Sequence, residues 1–424
     1  MASRSGSANG TYQKTTLRNG IRVVTETVPG VRSISLGIWV DVGSRSEGPT
    51  ENGITHMIEH MFFKGTKKRT PKQIAASLES IGGSLNAFTS REQTCFTARI
   101  LDEHLPIAME VLADMLKHST LTEENIEREK MVICEEIKEA EETPTDRVHD
   151  LFSNAFWGGQ PLGRPVLGTK ETVTSFSRHA IVDYIKRNYR SKSVVVSAAG
   201  SVSHRKLVAL AQKHLRFGEG PADLPQKAVM RGVRTLDPHN DDIEQTHLCL
   251  GYPGVDYGSK DKIAALALNA YLGGGMSSVL FQKIREDKGL AYTVYCFNDF
   301  YRDAGMFGTY VGTDASKVQE AFGIILDEFK IMKSTKLSAS KLTNVKAQLK
   351  GQLTLGMEST TAKMNRLGRH ELMLGTYQSV KDTLKEIDAI TAKQVQDLAN
   401  RFFDNSKLTV TSLGPADLSF LNAV

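Results

Sequence analysis

Residues 53–64, Gly-Ile-Thr-His-Met-Ile-Glu-His-Met-Phe-Phe-Lys, place two histidines and a glutamate inside an otherwise apolar segment. The apolar residues recur at the spacing of a helix that is buried along one side. His56 and His60 are four residues apart, so a helix puts both imidazoles on one face, with Glu59 beside them. Burying such polar groups is costly unless they bind something, and zinc commonly takes His and carboxylate ligands. The segment predicts a metal site, and the alternative is a pair of hydrogen-bonded core histidines.

The second half of the chain repeats the first but lacks these polar residues. The segment 121–142 resembles 337–358 in the same register, and 193–200 resembles 407–414. A gapless match of the segment 53–64 alone to the second copy puts apolar residues opposite the histidines and the glutamate: Ala264, Ala267 and Leu268. The fold therefore tolerates apolar side chains there, which argues against a purely structural role for the polar ones.

This repeat predicts two homologous domains of the α+β class. Predicted strands and helices occur in clusters rather than in strict alternation, which favours helices packed on a largely antiparallel sheet. We expect a zinc-binding catalytic domain at 1–217, a Gly- and Pro-containing linker at 218–235, and a homologous domain without a metal site at 236–424.

The predicted helix 126–142 is the richest source of a third protein ligand. Glu129 and Glu136 are seven residues apart, so both lie on or next to the face that carries Ile133 and Ile137. Carboxylates beside an apolar stripe are unfavourable without a partner. Either glutamate is a candidate ligand, and the pattern alone does not decide between them.

Composition excludes several classes of protein. The net charge is only +5 and no Lys/Arg block occurs, so nucleic-acid binding is not expected. No apolar stretch reaches the length of a membrane span. The four cysteines show no C-x-x-C spacing, and the first ten residues lack the apolar segment of a secretory signal. A bacterial cytoplasmic location is predicted, with the mitochondrial matrix as the alternative.

The segment His56-Met-Ile-Glu59-His60 matches the inverted zinc-protease motif H-x-x-E-H. With Glu136 placed 76 residues after His60, the chain resembles the pitrilysin/insulinase-type metallopeptidases. Among these it is similar to the mitochondrial processing peptidase β-subunit and its bacterial homologues. The resemblance covers nearly the whole chain and includes four further motifs: HMFFKGT at 60–66, IGGSLNA at 81–87, PLGRPVLG at 161–168 and LGGGMSS at 272–278. Met57 stands where the family usually has Phe.

The resemblance implies one Zn²⁺ per chain, bound by His56, His60 and Glu136. It also implies that Glu129 is a supporting catalytic acid nearby. Zinc in such a site lowers the pKa of a water toward neutrality. Glu59 is placed to take a proton from that water and to pass it to the leaving amine. The expected reaction is peptide-bond hydrolysis without a covalent intermediate.

Substrate contacts are carried over from the family residue by residue. Asn86 and Ala87 lie on a predicted strand whose edge would pair with an extended peptide. Phe63 would line the pocket for the residue after the cut, and Asp146 and Asp150 match acids that receive an upstream arginine. The alternatives are an ordinary sheet strand for the first pair and a solvated helix face for the two aspartates.

The resemblance assigns Arg285 and Tyr292 to substrate binding and to stabilisation of the oxyanion. Without the resemblance, the sequence would indicate only an arginine at a helix end and a tyrosine on a strand. Relatives with four such domains close a chamber between the first and the last, so a two-domain chain predicts a homodimer whose partner supplies these residues in trans. The turn 273–278 lacks the Gly-Lys-Ser/Thr of a phosphate loop.

The sequence therefore predicts a zinc-dependent endopeptidase that encloses unfolded peptides or presequence-like segments. A general peptide scavenger without positional specificity is the alternative within enzymes. Two alternatives of another class remain: a non-catalytic scaffold of the same fold, as in the core subunits of the respiratory cytochrome complex, and a peptide-binding subunit that needs a different partner chain to cleave. Those scaffold subunits typically lose parts of the H-x-x-E-H motif, whereas this chain retains it.

Overall fold

The computed structural model describes residues 5–7, 10–220, 225, 227–230, 235–236 and 243–423. Twelve strands occur in this part of the chain: β1 (Ser5–Ser7), β2 (Gly10–Thr16), β3 (Arg22–Thr27), β4 (Ser33–Val40), β5 (Ser84–Thr89), β6 (Thr94–Leu101), β7 (Val194–Gly200), β8 (Thr235–Leu236), β9 (Thr246–Pro253), β10 (Ala291–Phe300), β11 (Gly305–Thr313) and β12 (Thr409–Leu413).

Fourteen α-helices occur in the same described part: α1 (Ile54–Phe62), α2 (Pro71–Glu79), α3 (Leu105–His118), α4 (Glu123–Glu142), α5 (Pro144–Trp157), α6 (Lys170–Ser175), α7 (Arg178–Asn188), α8 (His204–His214), α9 (Lys262–Gly273), α10 (Val318–Ser334), α11 (Ala339–Gly356), α12 (Thr360–Met373), α13 (Val380–Ala389) and α14 (Ala392–Phe402). A π-helix covers Phe281–Asp287. No helix in the described part combines the length and the apolar composition that crossing a bilayer requires.

The chain forms two compact units that are not contiguous in sequence. The first contains the described parts of 1–138, 165–226 and 356–377, and the second those of 139–164, 227–355 and 378–424. Each unit thus takes one helical segment from the other half of the chain: α12 belongs to the first unit and α5 to the second.

The first unit is built on a seven-stranded sheet with the order β1-β2-β3-β7-β4-β6-β5. All neighbours are antiparallel except β3 and β7. Alternate residues of β4 enter different cores, because Ile38 and Val40 pack with α1 and α3 whereas Trp39 packs with Met364 of α12. Helices thus cover both faces of the sheet, and β5 forms one of its edges.

The second unit contains a five-stranded sheet with the order β10-β11-β9-β12-β8, in which only β12 and β8 are parallel. One face packs against a core that includes residues of α9, α10 and α14. A separate core cluster contains Phe152 and Phe156 of α5, which pack with Cys249 and Tyr310 of the sheet. The α5 segment therefore has the same place in the second unit as α12 has in the first.

These features confirm the predicted α+β class with two repeated, largely antiparallel units. The predicted boundaries at 217 and 236 divide the chain by its sequence repeat, and they stay a prediction. Residues 221–224, 226 and 231–234 of the predicted linker lie outside the described residues.

Candidate metal centre

The helix that carries the histidines begins at a buried carboxylate. One oxygen of Glu47 accepts hydrogen bonds from Gly53 N (2.8 Å) and Asn52 Nδ2 (3.1 Å), and the other accepts one from Thr55 N (2.9 Å). The first N–H groups of a helix lack intrahelical partners, so this carboxylate caps α1. Burial raises the pKa of Glu47 to about 7, against the opposing effect of its N–H donors. The cap fixes the start of α1 directly before His56.

The predicted buried face of α1 is present in the structure. The apolar side chains of this face have relative exposures of 0–1%: Ile54, Met57, Ile58, Met61 and Phe62. The side chains of His56 and His60 retain 12% and 19% of their exposure, and their ring centroids are 4.5 Å apart. The packing thus anchors α1 while its histidines stay accessible.

Glu136 of α4 faces both imidazoles. Its carboxylate oxygens lie 3.8 Å from His56 Nε2 and 3.7 Å from His60 Nε2. The three side chains offer ligand atoms that all lie within 4.8 Å of one another. These separations are too long for hydrogen bonds. Three ligands bound at about 2.1 Å to one tetrahedral ion lie roughly 3.4 Å apart, so the residues fit a shared zinc ion.

Glu129 makes a different contact with the same histidine. Its Oε2 lies 3.0 Å from His60 Nδ1, and its Oε1 lies 2.7 Å from Lys64 Nζ. Burial alone would raise the pKa of Glu129, but the bonds from His60 and Lys64 outweigh it and lower that pKa. The spacing of the two glutamates in the sequence did not distinguish them, but the structure places them differently. Glu136 faces Nε2 of His60, and Glu129 is hydrogen-bonded to Nδ1 of the same ring.

The two histidines also differ in basicity. Burial, with a smaller effect of the neighbouring His60, lowers the pKa of His56 to about 4. Burial also opposes protonation of His60, but the Glu129 hydrogen bond and the nearby carboxylates outweigh it and raise the pKa. A metal ligand must be deprotonated, and His56 meets that condition at neutral pH before any ion binds.

Glu59 points to the edge strand β5. Thr89, the last residue of that strand, places its Oγ1 2.5 Å from Glu59 Oε2 and donates a hydrogen bond to it. Burial raises the pKa of Glu59, and the Thr89 hydrogen bond opposes that shift. The carboxylate is thus partly buried and held at one oxygen.

The predicted substrate contacts of the first unit lie on exposed or half-buried positions. Asn86 is exposed on β5, where its Oδ1 accepts a hydrogen bond from Ala87 N at 2.9 Å. Strand β5 pairs with β6 on one side, through Asn86 and Thr97 among others. Phe63 follows α1 directly and is half-buried against the core.

The other predicted residues belong to the second unit. Arg285 lies in the π-helix, donates from Nη1 to the carbonyl oxygen of Tyr292 at 3.0 Å, and stacks over the Tyr292 ring at 4.3 Å. The Tyr292 side chain is 73% exposed. Asp146 and Asp150 lie one turn apart on α5, the first exposed and the second half-buried. The structure therefore brings Arg285 and Tyr292 together as a pair.

Three residues at the site were not predicted from the sequence: Glu47, Lys64 and Thr89. Lys64 follows His60 by four residues, a spacing that could have suggested a shared partner. Glu47 and Thr89 carry no comparable local signal, because each reaches α1 through the tertiary fold.

Comparison with known proteins places these features in a family. Two family models match: insulinase (peptidase family M16) over residues 22–170, and the peptidase M16 inactive domain over residues 175–349. The Bacillus subtilis protein described as uncharacterized zinc protease YmxG is 42% identical over 394 residues, covering 92% of this chain and 95% of that protein.

Solved structures share the fold. A protease from Helicobacter pylori has a TM-score of 0.89 at 23% identity, covering 96% of this chain and 100% of that chain. A chain of Complex III2 from Candida albicans with Inz-5 bound has a TM-score of 0.84 at 21% identity, covering 95% of each. The insulinase-type resemblance is confirmed by the family models and the Bacillus relative, and the chain belongs to peptidase family M16.

Proposed function

We propose that the chain is a zinc-dependent endopeptidase that hydrolyses unfolded peptides or presequence-like segments. The observation that carries this proposal is the convergence of His56, His60 and Glu136, whose ligand atoms lie within 4.8 Å of one another. Glu59 lies on the same helix, between the two histidines. One zinc ion per chain fits this donor set.

Glu59 is the proton carrier of the proposed reaction. The zinc ion, when bound, supplies Lewis acidity that polarises the attacking water and the peptide carbonyl. Glu59 takes the proton of the water during attack and delivers it to the departing amine nitrogen, so protons balance over one turnover. The raised pKa of Glu59 makes this carboxylate a stronger base than an ordinary glutamate, which suits a group that accepts a proton from water.

Glu129 supports catalysis by orienting a ligand. Its hydrogen bond to His60 Nδ1 fixes the tautomer that leaves Nε2 unprotonated toward Glu136. The ion pair between Glu129 and Lys64 Nζ at 2.7 Å holds the carboxylate in that orientation. A carboxylate held in this way also makes the imidazole a stronger ligand.

Peptide substrate would pair with the edge of β5. Among the described strands, this one is the last in its sheet and pairs only with β6, so a peptide would add along its other side, near Asn86 and Ala87. Backbone pairing tolerates many sequences and suits extended peptides. Phe63 would contact the residue after the cut, and Asp146 and Asp150 would receive an upstream arginine.

Metal analysis combined with cleavage mapping tests the function. The purified protein is incubated with an unfolded peptide mixture, with and without a chelator, and products are identified by mass spectrometry. We expect internal cleavages that stop on chelation and return when zinc is restored. Products that contain only terminal residues would contradict an endopeptidase, and cleavage that survives removal of all metal would contradict zinc chemistry.

The proposed active form is a homodimer with catalytic sites completed in trans. The chain carries the ligand set in one unit and the Arg285–Tyr292 pair in the other. In this proposal, the pair of each chain binds substrate held at the partner's zinc site, inside a closed chamber. Arginine and tyrosine donors suit an oxyanion that develops during attack.

Mixed dimers test this arrangement. Arg285→Ala chains and Glu59→Gln chains are each expected to be inactive as homodimers. Once co-refolded, a mixed dimer should recover activity, because one of its two sites combines an intact Glu59 with an intact Arg285. Tandem affinity tags isolate the mixed species, and mixed wild-type dimers are the control. Absence of recovered activity in verified mixed dimers would contradict the trans arrangement.

A non-catalytic scaffold is the second candidate. The likeness of the fold to a chain of Complex III2 from Candida albicans favours it. The complete ligand set of this chain favours the enzyme instead, since a scaffold needs no metal ligands. A subunit that cleaves only with a different partner would be inactive alone and become active on mixing with that partner.

We propose the bacterial cytoplasm as the location of the protein. The four free cysteines support this proposal, because unpaired cysteines suit a reducing compartment.

A further inference from the structure

The strand that would pair with substrate also holds the carboxylate that would carry the proton. Thr89 Oγ1 donates to Glu59 Oε2 at 2.5 Å, a short bond of the kind that hydroxyl donors form with carboxylates. We propose that Thr89 is a positioning residue for Glu59, and that it couples the peptide-pairing edge of β5 to the orientation of this carboxylate. This inference rests on the proposed peptidase function.

The hydrogen bond selects which oxygen of Glu59 is available. Oε2 is engaged by Thr89, whereas Oε1 has no hydrogen bond to any residue that the structure describes and can accept a proton. A glutamate side chain has several rotatable bonds, and its free carboxylate would sample many orientations. A donor that fixes one oxygen reduces this freedom, and small errors in the placement of a reacting group are costly for catalysis.

Thr89 is itself held in place by the turn that follows it. It pairs with Thr94 across the β5–β6 hairpin, and Ser90 N donates to Gln93 O at 2.8 Å. Ser44 N in turn donates to Ser90 O at 3.2 Å, which ties the turn to the loop before α1. At Gly43 a Cβ atom would collide with that same Ser90 carbonyl, so the approach is too close for a side chain.

The same strand carries the predicted substrate contacts. Asn86 and Ala87 precede Thr89 by three and two residues, and strand β5 is continuous from Asn86 to Thr89. A peptide that pairs with this edge would extend the sheet and restrict the motion of β5. Restricting β5 fixes Thr89, and through its hydroxyl it fixes Glu59. Substrate binding would therefore improve the alignment of the proton carrier.

Thr89→Val and Thr89→Ser separate the hydroxyl from the shape of the side chain. Valine keeps the β-branched shape, and we expect kcat to fall by about 10- to 100-fold with KM unchanged. Serine keeps the hydroxyl, and we expect most of the lost kcat to return. Zinc affinity, measured by chelator competition, should be unchanged in both variants.

Thr27→Val is the matched control. Thr27 ends β3 as Thr89 ends β5, and its hydroxyl donates to Val202 O at 3.2 Å. Its replacement should leave kcat unchanged. The inference is overturned if Thr89→Val keeps wild-type kcat, if Thr89→Ser is as impaired as Thr89→Val, or if the loss follows zinc affinity or thermal stability. If the wild-type protein cleaves no peptide, the proposed function fails and this inference falls with it.

Discussion

Replacing Glu59 with glutamine is expected to abolish peptide hydrolysis while zinc stays bound. Glutamine keeps the size of the side chain and can still accept a hydrogen bond from Thr89, but it cannot take a proton from water. Losing a positioned general base costs about 10²- to 10⁴-fold in rate. The measurement is kcat on a peptide whose cleavage site has been mapped, together with zinc content by elemental analysis.

The control for this substitution is Glu135→Gln. Glu135 is exposed on α4 next to Glu136, and its replacement removes the same charge from the same region of the first unit. Its activity should match wild type, which excludes a general electrostatic effect on the site. Full activity in Glu59→Gln would show that another group carries the proton. Loss of zinc in that variant would show instead that Glu59 contributes to metal binding.

The local patterns of the sequence predicted the elements of the site well. The spacing of apolar residues identified the buried face of α1, and Asn86 and Ala87 lie on a strand as predicted. Helix α4 carries both candidate glutamates, as expected. These features follow from periodicity within one element, which is the information that a sequence carries directly.

The exchange of helices between the two units could not be predicted in the same way. Helix α12 is amphipathic, but the spacing of its apolar residues does not indicate which sheet they pack against. In the structure, Met364 and Leu367 pack with Trp39 of the first sheet, more than 300 residues away in the chain. Such partners depend on topology, because many sheets could bury the same apolar stripe.

Contacts across elements were missed for a related reason. Glu47 reaches the start of α1 from the preceding loop, and Thr89 reaches Glu59 from a different strand. A glutamate in a loop and a threonine at a strand end are both common on protein surfaces, so neither suggests a role alone. Their roles follow from distances, and distances follow from the tertiary fold.

The zinc affinity of two variants tests whether Glu136 or Glu129 is the third metal ligand. Glu136→Gln replaces a carboxylate, whose two oxygens face Nε2 of His56 and Nε2 of His60, with a neutral amide. We expect zinc affinity to fall by more than about 100-fold, since a direct ligand contributes more than the 10- to 100-fold of an outer partner. Competition with a chelator of known affinity measures this effect without reference to activity.

Glu129→Gln should lower zinc affinity less than Glu136→Gln does, and it should also lower kcat. The amide can still accept a hydrogen bond from His60 Nδ1, but it loses the charge that pairs with Lys64, so zinc affinity should fall by about 10- to 100-fold. At saturating zinc, any remaining loss of kcat reports the role of Glu129 beyond metal binding. If Glu129→Gln lost zinc more severely than Glu136→Gln, the ligand assignment would be reversed. Because the two residues lie on one helix two turns apart, each variant serves as the stability control for the other.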